Sequence, residues 1–197
     1  FGSGITAADL EVRQQGSTAL SIRIKGTDDR ITLVNALSVA GNAIEEIRFA
    51  DGSASLTHAQ LLALSMQPTD GNDVLYGTTV ADTIYGGKGN DTFIVESIGD
   101  TPYENVNEGI DTVKTILAKY ALSSNVENLI YTGTADFTGT GNTLNNSITG
   151  SAGKDVLNGG TGVDVLTGLA GDDLYYVDNA GDAIIEASAG GRDLIAT

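Results

Sequence analysis

The chain has 197 residues, with no cysteine, no tryptophan, one histidine and two prolines. Without cysteine there is neither a disulfide framework nor a thiolate metal site. The lone His58 excludes a histidine-rich zinc site and the paired-histidine helix of a metalloprotease. Basic residues are scarce: 10 Lys+Arg stand against 26 Asp+Glu, a formal net charge of -16. No basic run is present, which argues against nucleic acid and anionic membrane surfaces as partners, since both reward clustered lysine and arginine. No apolar stretch approaches the ~20 residues of a membrane span. No signal peptide opens the chain, and the abrupt start at Phe1 reads as that of a fragment. Catalytic signatures are missing too. Thr149 stands where a nucleophile elbow around Ser151 needs glycine, and Gly87-Lys88 and Gly153-Lys154 lack the upstream glycine of a phosphate loop. Half of a Ser/His pair is a poor role for His58, expected to be exposed on the first helical position. No catalytic residue is therefore assigned.

Glycine is what the chain has in excess, 26 residues, nearly twice the usual share of ~7 %. With 41 % hydrophobic residues the chain can build a core. Glycine without proline predicts many tight turns between short strands. Charge divides the chain near Pro68. Residues 1–68 carry five basic and seven acidic side chains, and residues 69–197 carry five and nineteen. Two domains are expected, 1–67 and 68–197. In the first, Leu20, Ile22 and Ile24 alternate with polar residues and predict a half-buried strand. Gly26–Asp29 forms a turn, Ile31 and Leu33 begin a partner strand, and Ile44–Phe49 is a third strand ending at Asp51-Gly52. Thr57, Gln60, Leu56 and Leu61 have the spacing of a capping box with a hydrophobic staple, predicting a helix over Thr57–Ser65.

The second part repeats. Gly86–Ile94 and Gly159–Thr167 both read G-G-x-G-x-D-x-U-x, with U large and apolar. The frame extends over Pro68–Tyr76, Gly77–Tyr85, Gly141–Thr149, Gly150–Asn158 and Gly168–Tyr176. That makes one block over 68–95 and another over 141–177. Each x-U-x is a short strand with U pointing inward, and two nonamers make one coil, so residues 18 apart stack. Neighbouring strands lie ~4.8 Å apart, and calcium–oxygen bonds are about 2.3–2.6 Å. Calcium between stacked loops therefore fits, and an oxygen-only donor set favours calcium over zinc or copper. The expected ligands are the sixth-place residues Asp73, Asp91, Asp155, Asp164 and Asp173, with Asn146 and Asp82 weaker. Loop carbonyls near Gly71, Gly87, Gly89, Gly153, Gly160, Gly162 and Gly171 would complete the shell. Without metal, carboxylates ~5 Å apart repel by roughly 1–3 kcal/mol per pair, so the roll is expected to fold on binding calcium. The alternative is a metal-free solenoid whose aspartates only shape turns.

A longer unit is superposed on the nonamers. Gly89–Thr115 aligns with Gly171–Thr197 at an offset of 82, sharing Asp91/Asp173, Asp100/Asp182, Glu104/Glu186 and Asp111/Asp193. These spacer acids either bind further calcium at coil ends or are solvated turn acids. Asn125–Gly133 is expected to continue the solenoid without a regular calcium ladder.

The nonamers resemble the RTX (repeats-in-toxin, haemolysin-type calcium-binding) family. Gly4–Leu10, Ile44–Gly52 and the following helix resemble a segment that accompanies such repeats. The expected fold is thus mostly β: a right-handed parallel β-roll or β-solenoid after a small strand-rich domain carrying one short helix. The resemblance implies several calcium ions, a secreted, extracellular or cell-surface bacterial location, and export in unfolded form by the type I secretion machinery. A structural, adhesive or secretion-associated segment of a larger protein is the leading functional expectation. Self-association or a surface or matrix polysaccharide are the further partners to consider. The alternative is a β-solenoid part, catalytic or not, of a carbohydrate-active enzyme of lyase or epimerase type.

Overall fold

The computed structural model describes residues 4–197 except 17, 37–43, 51–54, 79 and 189. It divides into two compact units, Phe1–Gln67 and Pro68–Thr197.

In the first unit β1 (Leu10–Gln15), β2 (Ala19–Ile24) and β3 (Arg30–Leu33) form an antiparallel sheet in that order. A second ladder joins β4 (Glu46–Ile47) to β5 (Leu56–Thr57), and α1 (His58–Ser65) follows at once. Thr57 caps α1: its hydroxyl accepts the Gln60 N–H, and the Gln60 side chain accepts the Thr57 N–H. Leu10, Val12, Leu20, Ile22, Ala36, Phe49, Leu56 and Leu61 form one buried cluster. The alternation of β2 and the cap of α1 follow the sequence pattern. The expected third strand, Ile44–Phe49, shrinks to Glu46–Ile47 because its partner β5 offers only two residues. The turn expected at Asp51-Gly52 lies outside the described residues. Strand β1, which the sequence reading did not identify, supplies Leu10 and Val12 to the core. His58 is half-buried rather than exposed, with Nδ1 out of reach of solvent and of any hydrogen-bond partner. The β4–β5 ladder draws it in, and its N–H donates to the Glu45 carbonyl.

The second unit is a parallel β-solenoid. Its strands are β6 (Val74–Tyr76), β7 (Thr83–Tyr85), β8 (Thr92–Val95), β9 (Thr101–Tyr103), β10 (Thr112–Thr115), β11 (Lys119–Ala121), β12 (Asn128–Tyr131), β13 (Thr138–Thr140), β14 (Ser147–Thr149), β15 (Val156–Asn158), β16 (Val165–Leu169), β17 (Leu174–Tyr176), β18 (Ala183–Glu186) and β19 (Leu194–Ala196). Even-numbered strands stack as one seven-stranded sheet, β6 to β18. Odd-numbered strands form the other face as β7–β9 and β11–β13–β15–β17–β19. Every pairing is parallel, and the chain alternates between faces as two turns per coil require.

The strands are short because glycine turns bound them; in the three-residue strands of the nonamers the middle residue faces inward, and β8, β10 and β12 each bury a second residue, Val95, Thr115 and Tyr131. Leu75, Ile84, Phe93, Ile148, Leu157, Leu166 and Tyr175, the U positions, are all buried. Burying such a side chain is worth roughly 1.5–3 kcal/mol. Within the nonamer blocks paired residues are 18 apart, as in Val74↔Thr92 and Ser147↔Val165. In the spacer the coil length changes, to 20 at Thr92↔Thr112, 16 at Thr112↔Asn128 and 19 at Asn128↔Ser147. Asn125–Gly133 thus continues the stack through β12. Gly139 holds an inward position there, and a Cβ on it would stand 2.7 Å from Phe137 Cε1. Phe137 fills that space and stacks on Tyr131, ring centroids 4.4 Å apart and 3° from parallel.

Candidate metal centre

The residue just before each strand is the sixth of its nonamer, or the equivalent in the spacer. On the seven-stranded face this row reads Asp73, Asp91, Asp111, Glu127, Asn146, Asp164, Asp182; on the other, Asp82, Asp100, Ala118, Phe137, Asp155, Asp173, Asp193. One oxygen of these acids has a repeated job: it accepts the N–H of the row residue one coil earlier. Asp73 N–H donates to Asp91 Oδ1 at 2.7 Å, Asp91 to Asp111 at 2.7 Å, Asp111 to Glu127 at 2.8 Å, Asn146 to Asp164 at 2.7 Å and Asp164 to Asp182 at 3.0 Å. On the other face Asp82 donates to Asp100 at 3.1 Å, Phe137 to Asp155 at 2.9 Å, Asp155 to Asp173 at 2.7 Å and Asp173 to Asp193 at 3.0 Å. These charge-assisted bonds bind coil to coil and offset part of the repulsion between stacked carboxylates. Asn146 turns its amide Nδ2 back onto the Val126 and Glu127 carbonyls, 3.1 Å each, a contact no carboxylate could make.

The second oxygen divides the corners into two kinds. In four of the expected ligand positions the second place of the nonamer closes the site. Thr69 donates its N–H (2.6 Å) and hydroxyl (2.8 Å) to Asp73 Oδ2, and Thr78 does the same to Asp82 at 2.5 and 2.7 Å. Ser151 N–H reaches Asp155 Oδ2 at 2.6 Å, and Asn142 N–H reaches Asn146 Oδ1 at 2.8 Å. In the other three, Asp91, Asp164 and Asp173, Oδ2 is buried with no hydrogen-bond partner. Their second-place residues are Gly87 (φ 82), Gly160 (φ 84) and Leu169 (φ 77), all left-handed. That backbone takes the second-place N–H away from the carboxylate. Leu169 holds it at a steric cost of about 1–2 kcal/mol.

Most of the remaining expected residues pack their backbone against the coil below. A Cβ on Gly89 would lie 2.6 Å from the Gly71 carbonyl carbon, and one on Gly153 2.6 Å from Ala135 O. Side chains at Gly160, Gly162 and Gly171 would overlap the carbonyl oxygens of Asn142, Leu144 and Gly153, one coil below. Gly71 differs: its carbonyl accepts the Thr69 hydroxyl at 3.2 Å. Only glycine allows these approaches, and Gly159 and Gly168 leave room for the acids themselves, since a Cβ there would overlap Oδ2 of Asp164 and of Asp173. An oxygen-only donor set suits a hard cation, and Oδ2 of Asp91, Asp164 and Asp173 has no protein donor.

Burial sets the electrostatics. It pushes Asp91 and Asp173 up to about 6, with nearby carboxylates adding to it, and it raises Asp100, Asp111, Glu127, Asp155 and Asp164. Glu104 is driven furthest, to about 8, by burial and then by Asp111 and Asp91. Desolvated like charges of this kind favour a proton or a cation.

Asp111, Glu127 and Asp193 occupy row positions that the nonamer frame did not assign. Coils of 16–20 residues shift them out of register, and only the offset of 82 marked Asp111 and Asp193. A fifth-place row was also unforeseen: Asn72, Asn90, Asp136, Asn145 and Asp172 side chains accept the N–H of the stacked residue on the next coil.

A parallel solenoid with acidic, glycine-lined corners defines a repeat protein suited to cations. Residues 68–97 and 140–175 match the RTX calcium-binding nonapeptide repeat (four copies), and residues 20–56 match the haemolysin-type calcium binding protein related domain. The chain thus carries nonapeptide repeats of the RTX calcium-binding type and a haemolysin-related segment ahead of them. The chain is also similar to the endo-1,3-1,4-beta-glycanase ExsH of Rhizobium meliloti (strain 1021), 38 % identical over 90 residues. That match covers 45 % of this chain and 19 % of the relative. Among the described residues no helix is long and apolar enough to cross a membrane.

Proposed function

We propose that this chain is a calcium-binding, non-catalytic segment of a larger secreted bacterial protein, and that its solenoid folds on binding several calcium ions after export. The carrying observation is the set of buried, unpartnered carboxylate oxygens on Asp91, Asp164 and Asp173, each beside a left-handed second-place residue. Bound calcium would supply the positive charge these corners lack. Asp91, Asp164 and Asp173 would hold it with carbonyls of the glycine loops. Asp73, Asp82, Asn146 and Asp155 would act chiefly by fixing the turns. The acidic chain would leave the cell unfolded through type I secretion at low calcium and order outside. Its role there is structural, adhesive or secretion-associated. A calcium titration followed by circular dichroism and calorimetry, with magnesium as control, tests this. The expected result is a cooperative gain of β signal with several calcium ions bound. A chain equally folded in chelator and indifferent to calcium would overturn it.

The likeness to ExsH, a glycanase by name, favours a second reading in which the parent protein acts on a polysaccharide and this chain carries or holds its catalytic part. Co-sedimentation of the chain with a 1,3-1,4-β-glycan, alongside an assay for new reducing ends, separates binding from cleavage. Binding without cleavage supports this reading, and no binding removes it.

A further inference from the structure

The long repeat builds a feature the nonamers do not. Asp91, Glu104 and Asp111 bring one carboxylate oxygen each within 4.8 Å of one another, and all three residues are buried. Asp91 and Asp111 enter successive strands of the seven-stranded face, and Glu104 follows β9 on the opposite face. Glu104 is only 4 % exposed, and neither of its oxygens has a hydrogen-bond partner. Asp91 Oδ2 is likewise buried and unpartnered. Among the described residues no lysine or arginine pairs with any of the three. Gly86 makes the room, since a Cβ there would overlap Glu104 Oε1.

At the offset of 82 the second copy keeps the three acids but not their burial. Asp173, Glu186 and Asp193 form the equivalent group, but Glu186 and Asp193 are exposed. Tyr175, which stands where the first copy has Phe93, donates its hydroxyl to Glu186. The second copy therefore satisfies its glutamate internally, and the first leaves it bare.

We propose that Asp91, Glu104 and Asp111 form a distinct site for a hard divalent cation of the calcium class, in which two spacer acids join one nonamer acid without the carbonyls of a nonapeptide loop. Two oxygens bound to one calcium ion stand at most about 4.6–5.2 Å apart, twice the usual bond length, so three oxygens mutually within 4.8 Å can share one ion. The inference rests on the calcium reading above for the identity of the ion, and it shares Asp91 with the first block. It also assigns unequal roles to the two copies: the first binds, and the second is closed by Tyr175.

Native mass spectrometry and calorimetric titration of the full chain with calcium test it. Glu104→Gln is expected to lose one calcium equivalent, and in chelator to raise the unfolding temperature of the solenoid, because the cost of burying an unpartnered carboxylate is gone. Asp111→Asn, whose Oδ1 still accepts the Asp91 N–H, is expected to lose the same equivalent. Glu186→Gln is expected to keep the full count. Unchanged stoichiometry and affinity in both Glu104→Gln and Asp111→Asn, with the wild type binding several ions, would overturn this site alone. A wild type that binds no calcium would overturn the loop reading and this site together. Equal losses in Glu186→Gln and Glu104→Gln would overturn the unequal roles.

Discussion

Residues 4–67 and 68–197 bury apolar surface in opposite ways. The first unit gathers its large side chains into one cluster between an antiparallel sheet and a helix, and its charge is nearly balanced. The second strings single residues such as Leu75, Phe93, Leu166 and Tyr175 along a thin interior and surrounds them with stacked acids. A clustered core is stable by itself once closed. A thin interior flanked by desolvated carboxylates is not, because each unpaired buried charge opposes folding. On the proposed function, hydrophobic burial holds the first unit and counter-ions condition the second.

Chelation breaks the comparison most sharply. Excess chelator is expected to release the amides of β6–β19 to hydrogen exchange within minutes while those of β1 and β2 stay protected. Equal protection in both units would remove the distinction. Core truncation comes next. Leu166→Ala should destabilise the solenoid by about 2–5 kcal/mol and raise the calcium needed for folding, whereas Leu20→Ala should cost the first unit a similar amount and leave the calcium midpoint unmoved. Segment-resolved exchange distinguishes the two.

The open and closed corners give a smaller effect with a change of sign. Asp155→Asn places an amide donor against the Ser151 N–H and should cost about 1–3 kcal/mol with or without calcium. Asp164→Asn removes a charge from an unpartnered oxygen, so it should stabilise the fold in chelator and weaken it in calcium. Denaturant titrations in both conditions read the crossing.

In the metal-free chain Asp91 and Asp173 stand near 6 and Glu104 near 8, above ordinary carboxylates. The folded state then holds more protons than the unfolded one between about pH 4 and 8, so stability falls as pH rises through that window. Calcium competes with those protons, and saturating calcium should reverse the slope. Thermal melts at pH 5 and 8, with and without calcium, check both signs. Smallest of all, Thr57→Ala should cost about 1 kcal/mol, confined to the first unit, through loss of the α1 cap.

Much of the solenoid was legible because it is local. A nonamer contains its own turn, strand and inward residue, so Gly159–Thr167 states that Leu166 is buried without reference to anything distant. The cap at Thr57 is equally local. Strand β1 was not legible because only Leu10 and Val12 carry its alternation; the next inward place is Gln14, buried once β1 pairs with β2. Asp111 and Glu127 were hidden because coil length varies in the spacer.

By itself the sequence determined the repeat, the strand positions, the inward residues and the acidic corners, all consequences of glycine placement and alternation within nine residues. Only the tertiary structure decided which carboxylate oxygens are already spent. That depends on the sign of φ at Gly87, Gly160 and Leu169, and on N–H groups and acids 16–20 residues away that stacking brings within hydrogen-bond reach.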